Sequence, residues 1–556
     1  MKSNKIIILS YFVITLIGWS CTNDFLNTNP NTKLTQSMIN TGYSKIWDFG
    51  YAPYAYLSNG FNGIDGNLNA AITDEAEQTS PSSNAQLYNN GSWSAYNNPL
   101  DVYSTCYQGI RAASFFLENF TNYRTFLALN RDTISDHQMQ YKIDVLDIQW
   151  MRAEARVLRA WYYFELLKRY GDVPLIKKVL STSDSINVPR AKYDDVVSYA
   201  ISEIDLATDS LQPNWNSSAF VNNAGRIDKG VALAIKSRLL LYAASPLHNP
   251  NNDPIKWQKA AQAANDVIQL KYYSLATNYQ NLFYIDNTVT SKETIWAIRL
   301  NTTNTLEKQN YSIGTVGGNS GATPSQNLVD DYEYKTTPDP KLPYKNKDPR
   351  LGLTVVLNAS IWNGRIMQIY AGGIDGIGQT NATKTGYYLK KFLSPNLDLA
   401  NNVSMQRSWI VFRYAEILLN YAEAMNEVYG PDNNNGYSMT ARQAINAVRS
   451  RTGILMPAVV ATNQTEMREK IKHERRIELA FEDHRYWDLL RWEDAEVALN
   501  APLMGILAVK NTDNTYTYTT FEVEDRVFDA SKMYYFPIPQ SEIVKSNGIL
   551  IQNPNW

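Results

Sequence analysis

The chain runs to 556 residues and carries 52 basic and 54 acidic side chains, for a net charge of −2. Near-neutrality, with neither sign gathered in long blocks, argues against a nucleic-acid partner and against electrostatic docking on an anionic membrane surface. Its two cysteines cannot build the disulfide framework of small secreted domains, and a chain this long buries enough surface to do without one.

Residues 1–20 read as an export signal. Lys2 and Lys5 supply a positive start, and the apolar run from Ile6 to Ile17 is too short to span a bilayer as a mature helix. Gly18 and Ser20 are small, so the bond before Cys21 is open to a peptidase, although Gly18 and the bulky Trp19 depart from the usual lipoprotein pattern. The segment after Cys21, TNDFLNTNPNTKLTQ, is polar and turn-rich, as a tether must be. The expectation is a lipoprotein attached to a membrane through lipid on Cys21, since one acyl group binds weakly and several bind durably. An ordinary secretory signal with an incidental cysteine, or an N-terminal anchor helix, are the alternatives.

Residues 73–99, TDEAEQTSPSSNAQLYNNGSWSAYNNP, form the first loop-like stretch. Trp93 stands there with Tyr88, Tyr96 and Asn97, flanked by Gly91, Ser92 and Ser94, which suggests an exposed ring. Flat rings and short amides suit neutral polyhydroxylated ligands; the chain has 37 Tyr and 13 Trp, most of them needed for helix packing. Cys106 follows among helix-facing apolar residues and reads as an inert buried thiol. Over 147–170, Ala153, Val157, Ala160, Phe164 and Leu167 recur at steps of four and three, with Arg152, Arg156, Arg159 and Tyr163 on a polar flank. Gly171 and Pro174 end that helix. Further helices are expected over 193–211, 229–244, 257–270, 413–427, 439–451 and 466–481. Small residues, including Ala415, Ala422, Ala424, Ala441, Ala444 and Ala447, mark close approaches between paired helices of the tetratricopeptide kind. The stretch 272–410 is different. It is turn-rich, with short β-like runs such as ETIWAIRL and RLGLTVVL, and loops of this kind carry recognition.

Catalytic readings are weak. His473-Glu474 lacks the second histidine one turn on that a zinc-protease helix needs, because position 477 is Ile. Glu474, Arg475, Arg476, Glu478 and Arg485 read as a salt-bridge lattice at three and four spacing. Asp74, Glu75 and Glu77 form the best carboxylate cluster outside the helices, and glycoside hydrolysis would need two such groups at a set separation. No phosphate-binding or dinucleotide glycine pattern occurs in a strand–helix setting, so no cofactor or metal is expected.

Five long segments, RAEARVLRAWYYFELLKRYGDVPL, RYAEILLNYAEAMNE, AINAVRSRTG, IKHERRIELAFEDHRYWDLLRW and the closing YYFPIPQSEI…NPNW, resemble the SusD/RagB family of Bacteroidetes, as do TDEAE and PSQNLVDDYE. The resemblance implies a mainly α fold, with four tetratricopeptide-like helix pairs beside an irregular ligand-binding region with short strands. It divides the chain into a signal at 1–20, an N-terminal region at 21–225 and a C-terminal region at 226–556 that contains the loop-rich insert 272–410. It also implies a surface-exposed outer-membrane lipoprotein that binds oligosaccharides or other nutrients and partners a SusC-like TonB-dependent transporter. Carried over from the family, Trp93 becomes a stacking platform and Asp74 an acceptor of sugar hydroxyls, with Tyr88, Tyr96 and Asn97 beside them. Tyr311 and Trp362 fall in the irregular segment where the family places its other ring. Packing of Trp93 and Trp362 beneath their own loops stays open. So do two other functions, a glycoside hydrolase and a ligand-free transporter subunit.

Overall fold

The expected helices are present in a computed structural model, and side chains that the sequence supplies set their ends. The structure describes residues 43–129, 131–135, 138–180, 188–216, 221–283 and 288–556, so the expected signal and Cys21 lie outside the described residues. The helix expected over 147–170 begins earlier and spans Met139–Tyr170. It stops at Gly171, whose φ of +67° favours glycine and whose amide donates to the Leu167 carbonyl at 3.1 Å. Asp228 caps Lys229–Ala244 by accepting from the Val231 amide at 2.9 Å, and Asp253 caps Pro254–Gln269 in the same way through Ile255. Thr440 and Gln443 make a reciprocal capping box on Ala441–Arg449, and Asn463 caps Gln464–Glu478. Each cap contributes about 1 kcal/mol.

The described residues fall into two compact units. The smaller takes its residues from Met1–Phe49 and Phe120–Ile148, and the larger from Gly50–Asn119 and Gln149–Trp556. In the smaller, the Tyr43 hydroxyl donates to Asp147 at 2.7 Å and the rings of Phe49 and Phe120 lie 5.5 Å apart. In the larger, Tyr193–Thr208 packs on Lys229–Ala244, which packs on Pro254–Gln269. Tyr414–Tyr429 then packs against Pro254–Gln269 and against both Ala441–Arg449 and Gln464–Glu478. Ala260, Ala261, Ala263 and Ala264 on one helix and Ala415, Ala422 and Ala424 on its neighbour are all buried, which lets the axes approach closely. The molecule is mainly α, built on stacked helix pairs, as the periodicity requires.

Helices 254–269 and 414–429 are neighbours in space although a long stretch of chain separates them. That stretch departs and returns through one antiparallel ribbon, Thr294–Thr303 against Met405–Arg413, with Thr303 opposite Met405 and Thr294 opposite Arg413. Among the described residues every sheet has two strands only. The excursion is therefore held by something other than a sheet.

Buried charge supplies it, and here the expected salt-bridge lattice is corrected. Glu474, Arg475, Arg476, Glu478 and Arg485 each find their closest ionic partners outside their own helix. Arg350 donates to Glu474 at 2.5 Å and to Glu478 at 2.8 Å, while also pairing with Asp348. Arg413 donates to Glu478 at 2.6 Å, Glu293 at 2.8 Å and Glu482 at 2.7 Å, and Arg451 reaches Glu478 at 2.7 Å. Burial alone would push Glu478 up, but its three arginines hold it well below the usual carboxylate range. Spacing along a helix cannot distinguish a solvated charged face from one turned into the core. Arg159, expected on a polar flank, is likewise buried and donates to Glu203.

Candidate ligand-binding face

The two stretches singled out for recognition, 73–99 and the segment after Tyr311, are joined by backbone pairing. Ala76–Gln78 runs antiparallel to Ala322–Pro324, with Glu77 opposite Thr323. Beyond the strands, the Thr79 amide donates to the Gly321 carbonyl and the Ser325 amide to the Glu75 carbonyl, both at 2.9 Å. Asn67 and Asn310 exchange side-chain hydrogen bonds at 3.1 and 2.9 Å. These contacts fasten the N-terminal loop to the excursion.

The carboxylates of the TDEAE run secure this seam from beneath. Asp74 accepts from Arg476 at 2.6 Å and from Arg485 at 2.9 and 2.8 Å. Burial opposes its ionisation, yet the two guanidiniums outweigh it and keep the carboxyl well below its ordinary value. Burial, with the Asp74 charge alongside, pushes Glu75 up to about 7. Burial and a hydrogen bond shared with Glu524 raise Glu77, which also meets Arg526 at 3.0 Å and Lys384 at 3.1 Å. All three are buried, so Asp74 is corrected from a hydroxyl acceptor to an internal ion-pair partner in this conformation.

The aromatic residues divide in the same way. Trp93 is only 2% exposed; it stacks on Tyr88 at 4.7 Å and meets Trp556 at 4.5 Å and Phe536 at 5.0 Å. The expectation of an exposed ring is corrected, because the C-terminal YYFPIP and NPNW segments close over it. Tyr88 is buried, its hydroxyl donating to Asn98 at 2.5 Å. Tyr311 is buried beneath the loop it begins, with its hydroxyl on the Ser394 carbonyl, and Trp362 is buried under the Lys390 ammonium 5.4 Å above its ring. Tyr96 and Asn97 remain exposed, on a turn tied to the C-terminal segment through the Gln540 amide. Cys106 is a buried thiol whose pKa burial pushes up, as an inert cysteine requires.

What the excursion presents to solvent is a set of residues the sequence reading passed over. Ile361-Trp362 pairs with Arg365-Ile366 across Asn363-Gly364, whose φ values of 49° and 72° give the Asn-Gly hairpin turn. The pairing sets Ile361 opposite Ile366, both exposed, while Trp362 points inward. Arg365 then gathers the surrounding loops: it pairs with Asp375 at 2.6 Å and donates to Ser312 at 3.0 Å, and Asn363 donates to Thr315 at 3.3 Å. Val316 and Ile374 are exposed on those loops. Half-buried Tyr370 lies 5.7 Å from Tyr516 of the hairpin Leu503–Lys510/Tyr516–Glu524, and Tyr516 lies 6.3 Å from Tyr518. Apolar side chains, tyrosine rings and amides thus share a solvent-facing surface anchored by one buried aspartate. The Asn-Gly pair was the available signal, being a strong short-range mark of a hairpin.

Comparison with known proteins bears on the family and the fold. The model of the SusD family matches residues 292–556, and a model described as "Starch-binding associating with outer membrane" matches residues 24–241. SusD-like protein P25 of Formosa agariphila is 24% identical over 477 residues, covering 82% of this chain and 78% of its own. A SusD-like protein from Bacteroides fragilis superposes with a TM-score of 0.76 at 24% identity, covering 95% of this chain and all of the other. A SusD-like carbohydrate binding protein from the same species gives a TM-score of 0.73 at 25% identity, covering 92% and 99%. With the two family models taking in most of the sequence between them, the chain belongs to the SusD/RagB family.

Proposed function

We propose that this chain is a surface-exposed outer-membrane lipoprotein, tethered through lipid on Cys21, that binds neutral oligosaccharides and passes them to a SusC-like TonB-dependent transporter without cleaving them. The observation that carries the ligand class is the face described above, with exposed Ile361, Ile366 and Val316 and the half-buried rings of Tyr370 and Tyr516. Such a surface offers apolar contact to sugar C–H faces and hydrogen bonds to hydroxyls, with the Arg365 charge paired to Asp375 and the Lys510 ammonium 5.7 Å over the Tyr370 ring. The carbohydrate-binding relative and the family description of outer-membrane association support the same reading. Burial of Asp74, Glu75 and Glu77 supports the absence of cleavage, because an acid–base pair must reach the scissile bond. Of the residues singled out in the 73–99 stretch, Tyr96 and Asn97 are exposed, and we keep them as proposed contacts.

Glycan-array screening of the full chain, followed by calorimetry, tests this reading. A neutral oligosaccharide is expected to bind, with Tyr516→Ala weakening it about threefold to tenfold, the worth of one ring contact. Release of new reducing ends, or no binding to any glycan, would overturn the proposal. The tether is tested by fractionation: Cys21→Ala is expected to leave the outer membrane in a strain lacking the transporter.

A further inference from the structure

The hairpin that carries Tyr516 and Tyr518 uses the edges of its two strands differently. Strand Leu503–Lys510 is engaged on both sides. It pairs with Tyr516–Glu524 on one. On the other, the Met504 amide donates to Oδ1 of Asn327 at 2.7 Å, the Ile506 amide to the Thr385 carbonyl at 2.8 Å, and the Ala508 carbonyl accepts from the Ala371 amide at 2.8 Å. The N–H and C=O of one strand residue point to the same side. Met504, Ile506 and Ala508 therefore turn theirs away from the second strand, and the residues opposite them, Glu522, Thr520 and Tyr518, turn theirs away from the first. These outward groups form a free edge, and no hydrogen bond among the described residues reaches them.

This edge lacks most of the features that keep strand edges apart. Residues 516–522, YTYTTFE, are aromatic or β-branched up to the final glutamate, and they include no proline or lysine. The irregularity in the ladder lies at its end, where Leu503 faces Glu524 and Met504 faces Glu522, so 516–522 is a regular strand. Thr517, Thr519, Thr520 and Glu522 are exposed along it.

The strand is also complementary to itself. Turned about a two-fold axis at Thr519, two copies set Tyr518 against Thr520 and Tyr516 against Glu522, each pair exchanging two backbone hydrogen bonds. On the other side of the sheet Thr517 meets Phe521 and Thr519 meets its equivalent, pairs of the kind that stabilise antiparallel strands. No like charges face each other. Lys510, opposite Tyr516 in the hairpin, comes one strand away from the second copy's Glu522. From this arrangement we infer that residues 516–522 are an interface for a second copy of this chain, which joins the two hairpins into one four-stranded antiparallel sheet. Self-pairing in this register uses the whole regular stretch and sets each glutamate near a lysine, which singles out a second copy as the occupant. Both copies then turn the Tyr516–Tyr518 side the same way, with the two Tyr516 residues about 20 Å apart. One long glycan can touch both faces, a consequence that, unlike the pairing, rests on the saccharide-binding reading above.

Disulfide trapping in the full chain, read on non-reducing gels, tests the register. Thr519→Cys lies about 4.5 Å from its equivalent, within reach of a disulfide, and is expected to link the chain into dimers on mild oxidation. Thr517→Cys lies about 13 Å from its equivalent and is expected to link no more than the native chain, which controls for Cys21 and the buried Cys106. Adding Thr520→Pro to Thr519→Cys removes an N–H that bonds nothing within the chain, so cooperative melting is expected to persist while linking falls about tenfold. Sedimentation of the native chain over an about hundredfold range of concentration is expected to show monomer–dimer exchange that Thr520→Pro shifts toward monomer. Should Thr520→Pro fail to fold, the two cysteine variants decide alone. Equal linking of those two, or a native chain that stays monomeric throughout, overturns the inference. Loss of a different copurifying protein from Thr520→Pro, with no dimer in the native chain, also overturns it and assigns the edge to a foreign strand. Dimers in a chain that binds no saccharide uphold the interface and remove the proposed function; saccharide binding by a chain that never dimerises does the reverse.

Discussion

The helical array and the excursion between its helices are held together by different means. In the array, stability is spread over many small contributions: alanine-lined approaches between neighbouring helices, and a side-chain cap at helix after helix. In the excursion it is concentrated, because two-stranded pairings supply little apolar burial and a handful of buried arginines join distant segments. A distributed structure loses little with any one residue. A concentrated one depends on each joint.

The sharpest way to break this contrast is Arg413→Ala. It strips a cation from Glu293, Glu478 and Glu482, all buried, and is expected to cost at least about 3–5 kcal/mol by urea denaturation. A cost near that of an ordinary surface change would show that the network is dispensable. Asp74→Asn comes next, at about 3 kcal/mol, because it leaves Arg476 and Arg485 with an uncharged partner at the seam between 76–78 and 322–324. Hydrogen exchange at Gln78 and Thr79 is expected to accelerate with it. Since the folded Asp74 carboxyl is held low, its contribution is present above the ordinary aspartate value and disappears as pH falls through the folded one.

Glu75 has the opposite sign. Its folded value near 7 exceeds the ordinary 4.5, so the folded state binds the extra proton and stability falls as pH rises across that window. Glu75→Gln is expected to flatten this slope and to be about 2 kcal/mol more stable than the parent at pH 8, with the difference vanishing by pH 4. Parallel melting curves across that range would contradict it. The smallest expected effect belongs to the array: Thr440→Ala loses half of a capping box and about 1 kcal/mol.

The same contrast explains what the sequence disclosed. Lys229–Ala244 matched its expected bounds, and the other helices agreed within a few residues apart from the early start at Met139, because an apolar face repeating every three to four residues is a local property. The excursion has no such repeat. Its partner strand MQRSWIVFR and the Arg365–Asp375 pairing follow from contacts between separated segments, which one sequence does not display. Trp93 shows the limit clearly. Glycines and serines beside it suggested exposure, but Phe536 and Trp556, far along the chain, complete its burial. Asp74 is chemically special, and its partners Arg476 and Arg485 look in the sequence like members of a helix face.

The ribbon at the base of the excursion has an evolutionary consequence. Thr303 and Met405 face each other across it, so the chain leaves the scaffold and re-enters at nearly one point. Loops between them that carry none of the buried joints can lengthen, shorten or be exchanged without changing the distance the ends must span, and the entropic cost of a longer loop grows only with the logarithm of its length. A lineage could therefore trade one recognition surface for another at this position while the helices continue unaltered, much as a tool holder accepts different bits. Transplanting loops of this stretch between relatives, with strand Ala322–Pro324 and Arg350 kept, is the laboratory version of that exchange.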